Sequence, residues 1–311
     1  MQLKEVIRHE PDIRTYRDGE HIPASALVGI EVELENFRFK KECELTYWRA
    51  EHDGSLRDGG IEFVLRQPLT GHDLEVAIEE LYSKVLTANY KVSPRTSTHV
   101  HIDARDLSVE HMKRLVFVYS MMERFIYDLV TPDREYSFYC TPLYRSSQNR
   151  RSIAKALDKL SFRSCPRYSG INLRALERYG SIEFRMHQGL TDTTDLKRWI
   201  KLLLKLRSGT KAFEDVPMEH ILKMYSENSA QHIMEQVLGE ELYRELVQDS
   251  YNDRLKESMR SAQDLLLLRK SGTLGRKENE WLANFRGQQP IEGIDPEVLE
   301  ILRERREQIL N

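Results

Sequence analysis

The sequence predicts an α+β protein, a mainly antiparallel sheet with helices packed against it, on three observations. Short segments of two-residue alternation recur through the first two-thirds of the chain. Apolar runs of helical period separate them, and beyond Thr191 only helical patterns remain.

Val28, Ile30, Val32 and Leu34 alternate with Gly29, Glu31, Glu33 and Glu35, so the stretch 27–36 reads as a strand with one apolar face. Glu31 and Glu33 then point the same way, roughly 7 Å apart along the strand. Two anions that close repel unless a cation lies between them. A second strand over Leu45–His52 runs into the turn Asp53-Gly54-Ser55, and a third over Gly60–Arg66 places Glu62 inside it, which completes a meander. Gly71–Asn89 has the spacing of an amphipathic helix. In Ser97–Ala104, Val100 and Ile102 form one face while His99, His101 and Asp103 form the other. Asp106–Val130 is long and apolar, the expected core helix.

Between 145 and 167 the chain turns basic: Arg145, Arg150, Arg151, Lys155, Lys159, Arg163 and Arg167 face only Asp158. Such a run is either a solvated surface or a phosphate-binding patch. Arg167–Arg174 and Ser181–His187 read as a hairpin through 175–180, with Glu183, Arg185 and His187 sharing one strand face. Helices are expected at 195–206, 218–227, 232–248, 252–270, 278–286 and 296–310. The division that follows is a catalytic region, 1–195, and a helical C-terminal region, 196–311.

Composition narrows the class. The 311 residues are 40% hydrophobic and 31% charged, with a formal net charge of -3, which gives no global pull toward nucleic acid or an anionic membrane. No run reaches the ~18 apolar residues of a spanning helix, and the charged N-terminal stretch lacks the apolar core of a signal peptide. Cys43, Cys140 and Cys165 are odd in number and show no CxxC spacing, against both a disulfide framework and a thiolate zinc site. A reducing cytoplasm is the expected compartment.

The polar groups inside strand patterns are Glu31, Glu33, Glu62, His99, His101, Glu183 and Arg185. Half-buried carboxylates must be paired or hold a cation. Oxygen-rich donors with an occasional imidazole suit Mg²⁺ or Mn²⁺, and zinc stays open through the two histidines. Divalent cation, carboxylates and an adjacent Arg are the equipment of phosphoryl transfer. Neither GxxxxGK[ST] nor GxGxxG opens a helix.

GIEVELEN, DGSL, GIEFV with Pro68 soon after, THVHID, RYSGINL and SIEFRMHQG, in that order, resemble the amidoligase family of carboxylate–amine ligases. That family is related to glutamine synthetase and glutamate–cysteine ligase, and the resemblance spans about residues 27–200. It implies a glutamine synthetase-like fold, a curved sheet with helices outside and metals on the concave polar side. It implies Glu31, Glu33, Glu62, His99 and Glu183 as metal ligands and His101 near the nucleotide phosphates. Arg185 would contact the transferred phosphoryl group, Asp53 would share the cleft, and Arg167 and Asn172 would bind phosphate or substrate. One carboxylate, Glu62, stands where glutamine synthetase has a pair. The implied activity is ATP-dependent amide formation through an acyl phosphate, with Mg²⁺ or Mn²⁺, between a small-molecule or peptide carboxylate and an amine. Two alternatives stay open: a two-metal hydrolase or phosphoesterase, and a non-enzymatic module whose basic stretch binds nucleic acid or a partner.

Overall fold

A computed structural model describes residues 1–37, 44–224 and 230–246, with positions 259, 261–263, 265 and 266. It is α+β. The short helix α1 (Leu3–Ile7) precedes three strands, β1 (Val28–Leu34), β2 (Trp48–His52) and β3 (Ile61–Leu65). Helix α2 (Gly71–Leu81), extended by a π turn, leads to β4 (Ser97–Asp103) and α3 (Val109–Tyr127). Then come α4 (Pro132–Tyr136), α5 (Ser147–Lys159), β5 (Ile171–Asn172), α6 (Ala175–Tyr179), β6 (Ser181–Gln188) and α7 (Thr193–Gly209). Helices α8 (Met218–Met224), α9 (Ala230–Leu238) and α10 (Glu240–Leu246) follow.

The six strands form one open antiparallel sheet in the order β2-β3-β1-β4-β6-β5. Apolar alternation decides which face meets the helices. Val28, Ile30, Val32 and Leu34 of β1, Val100 and Ile102 of β4, and Ile182 and Phe184 of β6 are buried in one core with α2, α3 and α7. Trp48 fastens edge strand β2 to α2 by donating from Nε1 to the Ala77 carbonyl, 2.7 Å away. Helix α3, capped by the Ser108 hydroxyl, is buried along nearly its whole length.

Several expected elements are shorter or divided. The second strand begins at Trp48 instead of Leu45, and the hairpin's first strand shrinks to Ile171–Asn172, because Tyr168 and Gly170 ahead of it exchange backbone hydrogen bonds with Thr141. The basic run is largely α5, and Arg150 within it is buried, donating to the Leu143 carbonyl. The single helix expected over 232–248 is two, because Gly239 at φ +82° turns the chain between α9 and α10. The division at 195/196 lies inside α7, whose Leu196, Trp199, Ile200 and Leu203 share the core with the strands. The helices expected at 278–286 and 296–310, and most of 252–270, lie outside the described residues. No helix among the described residues is long and apolar enough to cross a membrane.

Glu123 of α3 lies fully inside this core, accepting from the Tyr119 hydroxyl at 2.7 Å and the Tyr144 backbone N–H at 3.2 Å. Burial pushes its carboxyl up to about 7, against the hydrogen bonds that favour the charged form. With a raised carboxyl pKa, the folded state keeps a proton that the unfolded chain has released. The stability that this group contributes is therefore complete below its ordinary 4.5 and lost as pH rises to about 7. Thermal unfolding of Glu123→Gln between pH 4.5 and 8 should lack that decline and exceed wild type at pH 8. An equal loss of stability at every pH would show that the carboxylate is needed as an acceptor.

Candidate functional site

The face of the sheet turned away from the helices gathers the polar strand residues, and the register explains how. Glu33 lies opposite Glu62 of β3, and Glu31 lies opposite His99 of β4. His101 faces Glu183 of β6, which in turn faces Asn172 of β5. Side chains from five chain segments therefore converge with no loop needed to carry most of them.

Glu31 sits at the centre. Its carboxylate reaches His99 Nδ1 at 3.0 Å and His101 Nε2 at 3.5 Å. Glu183 Oε1 is 3.7 Å from His99 Nδ1 and ion-paired with Arg185, while its Oε2 accepts from Asn172 Nδ2 at 2.6 Å. Arg185 also donates from Nε to the Tyr139 carbonyl at 3.3 Å. Glu33 accepts from both the backbone N–H and the hydroxyl of Ser97, at 2.8 and 2.6 Å. The same hydroxyl is 2.8 Å from His99 Nε2, so Ser97 links the two halves of the cluster.

Three overlapping sets of donor atoms lie close enough to share a cation: Glu31, Glu62 and His99; Glu31, His101 and Glu183; Glu33, Asp53 and Glu62. The electrostatics point the same way. Burial, then repulsion from Glu31, Glu33, Asp53 and Glu51, pushes Glu62 up to about 8. Burial would raise Glu31 as well, but the His101 and His99 imidazoles hold it far below the usual carboxylate range. Against its own burial, Glu183 is held down by His101, Arg185 and His99. His101 is lowered by burial but raised overall by Glu31 and Glu183, and its buried Nε2 makes no well-formed hydrogen bond. A site with three carboxylate-rich sets and an underused imidazole nitrogen fits a hard divalent cation.

Arg167 and Asn172 line a second feature, a cavity of about 480 Å³ bounded also by Glu31, His101, Glu183 and Arg185. Four of its arginines, Arg163, Arg167, Arg174 and Arg178, have no carboxylate ion pair among the described residues. A smaller cavity of about 280 Å³, walled by Leu27, Val64 and Pro68, meets the first at Glu31, His101 and Tyr179.

One expected site neighbour is elsewhere. Thr98 pairs with His187 while Val100 pairs with Phe184, so Arg185 and Met186 together oppose His99 in a β-bulge. The extra residue rotates everything after it. His187 therefore leaves the face of Glu183 and Arg185, packs its ring 5.2 Å from that of Trp199 in α7, and meets Asp195 at 3.1 Å. Sequence reasoning missed Ser97 and Ser181, which bond His99 and His101 from positions two residues from a site residue on the same strand. That spacing was the available signal. It missed Arg174 at the end of the expected strand, and Arg178 and Tyr179 because 175–180 reads only as its connection.

Residues 61–207 match the Amidoligase_2 family model, described as "Putative amidoligase enzyme". That segment is similar to the amidoligase family. No curated protein matches the chain. The matched segment carries Glu62, His99, His101, Arg167, Asn172, Glu183 and Arg185, whereas Glu31, Glu33 and Asp53 precede it on β1 and in the β2–β3 turn. The sheet thus joins the matched segment to two carboxylate-bearing segments outside it.

Proposed function

We propose that the protein is an ATP-dependent carboxylate–amine ligase that forms an amide through an acyl phosphate. The observation that carries this reading is the meeting of Glu31 and Glu183 with both Arg185 and an arginine-lined cavity, within and beside an amidoligase segment. Cations and guanidinium groups in one cleft suit a polyphosphate.

Glu31, Glu33, Glu62, His99 and Glu183 would hold Mg²⁺ or Mn²⁺, with Asp53 beside Glu33 and Glu62. A bound divalent cation supplies charge neutralisation for phosphate oxygens. His101, Arg167 and Asn172 would face the nucleotide phosphates. A substrate carboxylate attacks the γ-phosphorus and ADP leaves; a neutral amine then attacks the acyl carbon, and phosphate leaves with the carbonyl restored and takes up the proton that the amine nitrogen loses. Arg185 offsets charge on the phosphoryl oxygens as they pass between the two oxygens, a positioned electrostatic role. Pairing with Glu183 and donation to the Tyr139 carbonyl hold its guanidinium in place.

The test is ADP release by the purified chain with ATP and Mg²⁺ across a matrix of carboxylates and amines. Release that requires both an acid and an amine is expected. ATP hydrolysis indifferent to both, or phosphoester cleavage without ATP, would replace the ligase reading with a hydrolase.

A further inference from the structure

We propose that the exposed aromatic cluster beside Arg185 is the subsite of the carboxylate substrate, and that it selects an acid borne on a flat unsaturated ring. The inference rests on the ligase reading and assigns it a substrate class.

Phe138 stands in a short 3₁₀ turn, and Tyr168 lies just ahead of β5. Their ring centroids are 5.4 Å apart, and Tyr139 meets Tyr168 at 5.6 Å, edge to face. Phe138 is 71% exposed and Tyr168 38%. A contiguous aromatic surface left in water is a binding surface more often than an isolated exposed ring is.

Its neighbours define the ligand's charge. The guanidinium carbons of Arg167 and Arg185 lie 5.7 and 5.9 Å from the centre of the Tyr168 ring. A protonated amine would be repelled there, and a carboxylate attracted. Position leads to the same substrate. Arg185 is closed on one side by Glu183 and His99, and on the other it donates to the Tyr139 carbonyl, at the foot of the cluster. From a phosphorus beside Arg185, the body of the acid extends past the Tyr168 ring toward the exposed Phe138. A planar ring laid on Phe138 covers apolar surface that an alkyl chain would cover with worse geometry.

Benzoate and hexanoate separate ring from chain at equal charge. Each is titrated by NMR onto the full chain with Mg²⁺ present, for wild type, Phe138→Ala, Phe138→Tyr and Tyr82→Ala. Tyr82 is a half-exposed ring in the π turn after α2 and serves as a control. Wild type should favour benzoate by about fivefold to tenfold, the size of one aromatic pair. That preference should vanish in Phe138→Ala and persist in Phe138→Tyr and Tyr82→Ala. Equal binding of the two acids, binding of neither, or a preference that survives Phe138→Ala overturns the assignment. Failure of the ligase reading shows separately, as no acid- and amine-dependent ADP release with any pair.

Discussion

Glu31→Gln should cut metal-dependent ADP release by at least about a hundredfold, since even outer partners of a metal site cost 10- to 100-fold when removed. Glu31 belongs to two of the three donor sets, as Glu62 does, and it alone of the two lies between both imidazoles, so its loss thins the site at its centre. The amide keeps the volume and one acceptor oxygen while removing the anion. Two electrostatic effects on the metal-free fold then oppose each other. The favourable contacts to His99 and His101 weaken, and Glu62, which Glu31 repels more than any other group does, is relieved. Thermal stability without metal should consequently change little, whereas calorimetric titration with Mg²⁺ should lose most of its affinity. Turnover within about threefold of wild type would remove Glu31 from the site, because a shared ligand has no substitute at that position.

The site was more legible than the fold around it because strand alternation is local. Glu31, Glu33, Glu62, His99, His101, Glu183 and Arg185 each declared their face by the identity of residues one and two away, and the sheet brought those faces together. His187 obeyed the same rule in sequence and still pointed elsewhere. A bulge is a property of pairing between strands, and nothing in SIEFRMHQ alone marks where Arg185 and Met186 will share one partner. Buried Arg134 illustrates why. It donates to the carbonyls of Arg185, Met186 and Pro94 at 3.0, 3.3 and 3.4 Å, so a side chain some fifty residues away holds the bulge in shape. The cavity arginines escaped for a related reason. Arg174 and Arg178 flank and enter a helix of only five residues, and their convergence with Arg163 and Arg167 is tertiary. Helix termini beyond α7 depended on single residues, of which Gly239 divided one expected helix and was not read as a break.

Arg185→Lys should lower kcat by about a hundred- to a thousandfold, the range for removing one positioned donor at a charge-developing oxygen. The buried guanidinium does three things at once: it pairs with Glu183, approaches His99 Nδ1 at 3.4 Å and donates from Nε to the Tyr139 carbonyl. A rigid planar fork can do this and still present a free edge, whereas an ammonium on a flexible stem offers three donors around one point. Lysine can keep the charge pair with Glu183, so the Arg185→Lys protein should melt close to wild type. Arg185→Met should not, because an unpaired buried Glu183 costs about 3–5 kcal/mol. The two variants, each measured by melting curve and by turnover, separate two roles for the residue. If Arg185→Lys retains near-normal turnover, Arg185 is a diffuse counter-charge and the phosphoryl contact is wrong. If both variants lose stability alike and the residual activity tracks the folded fraction, its role is to neutralise Glu183 within the sheet. Only a large loss of kcat in a well-folded lysine variant supports an arginine aimed at the transferred phosphoryl group.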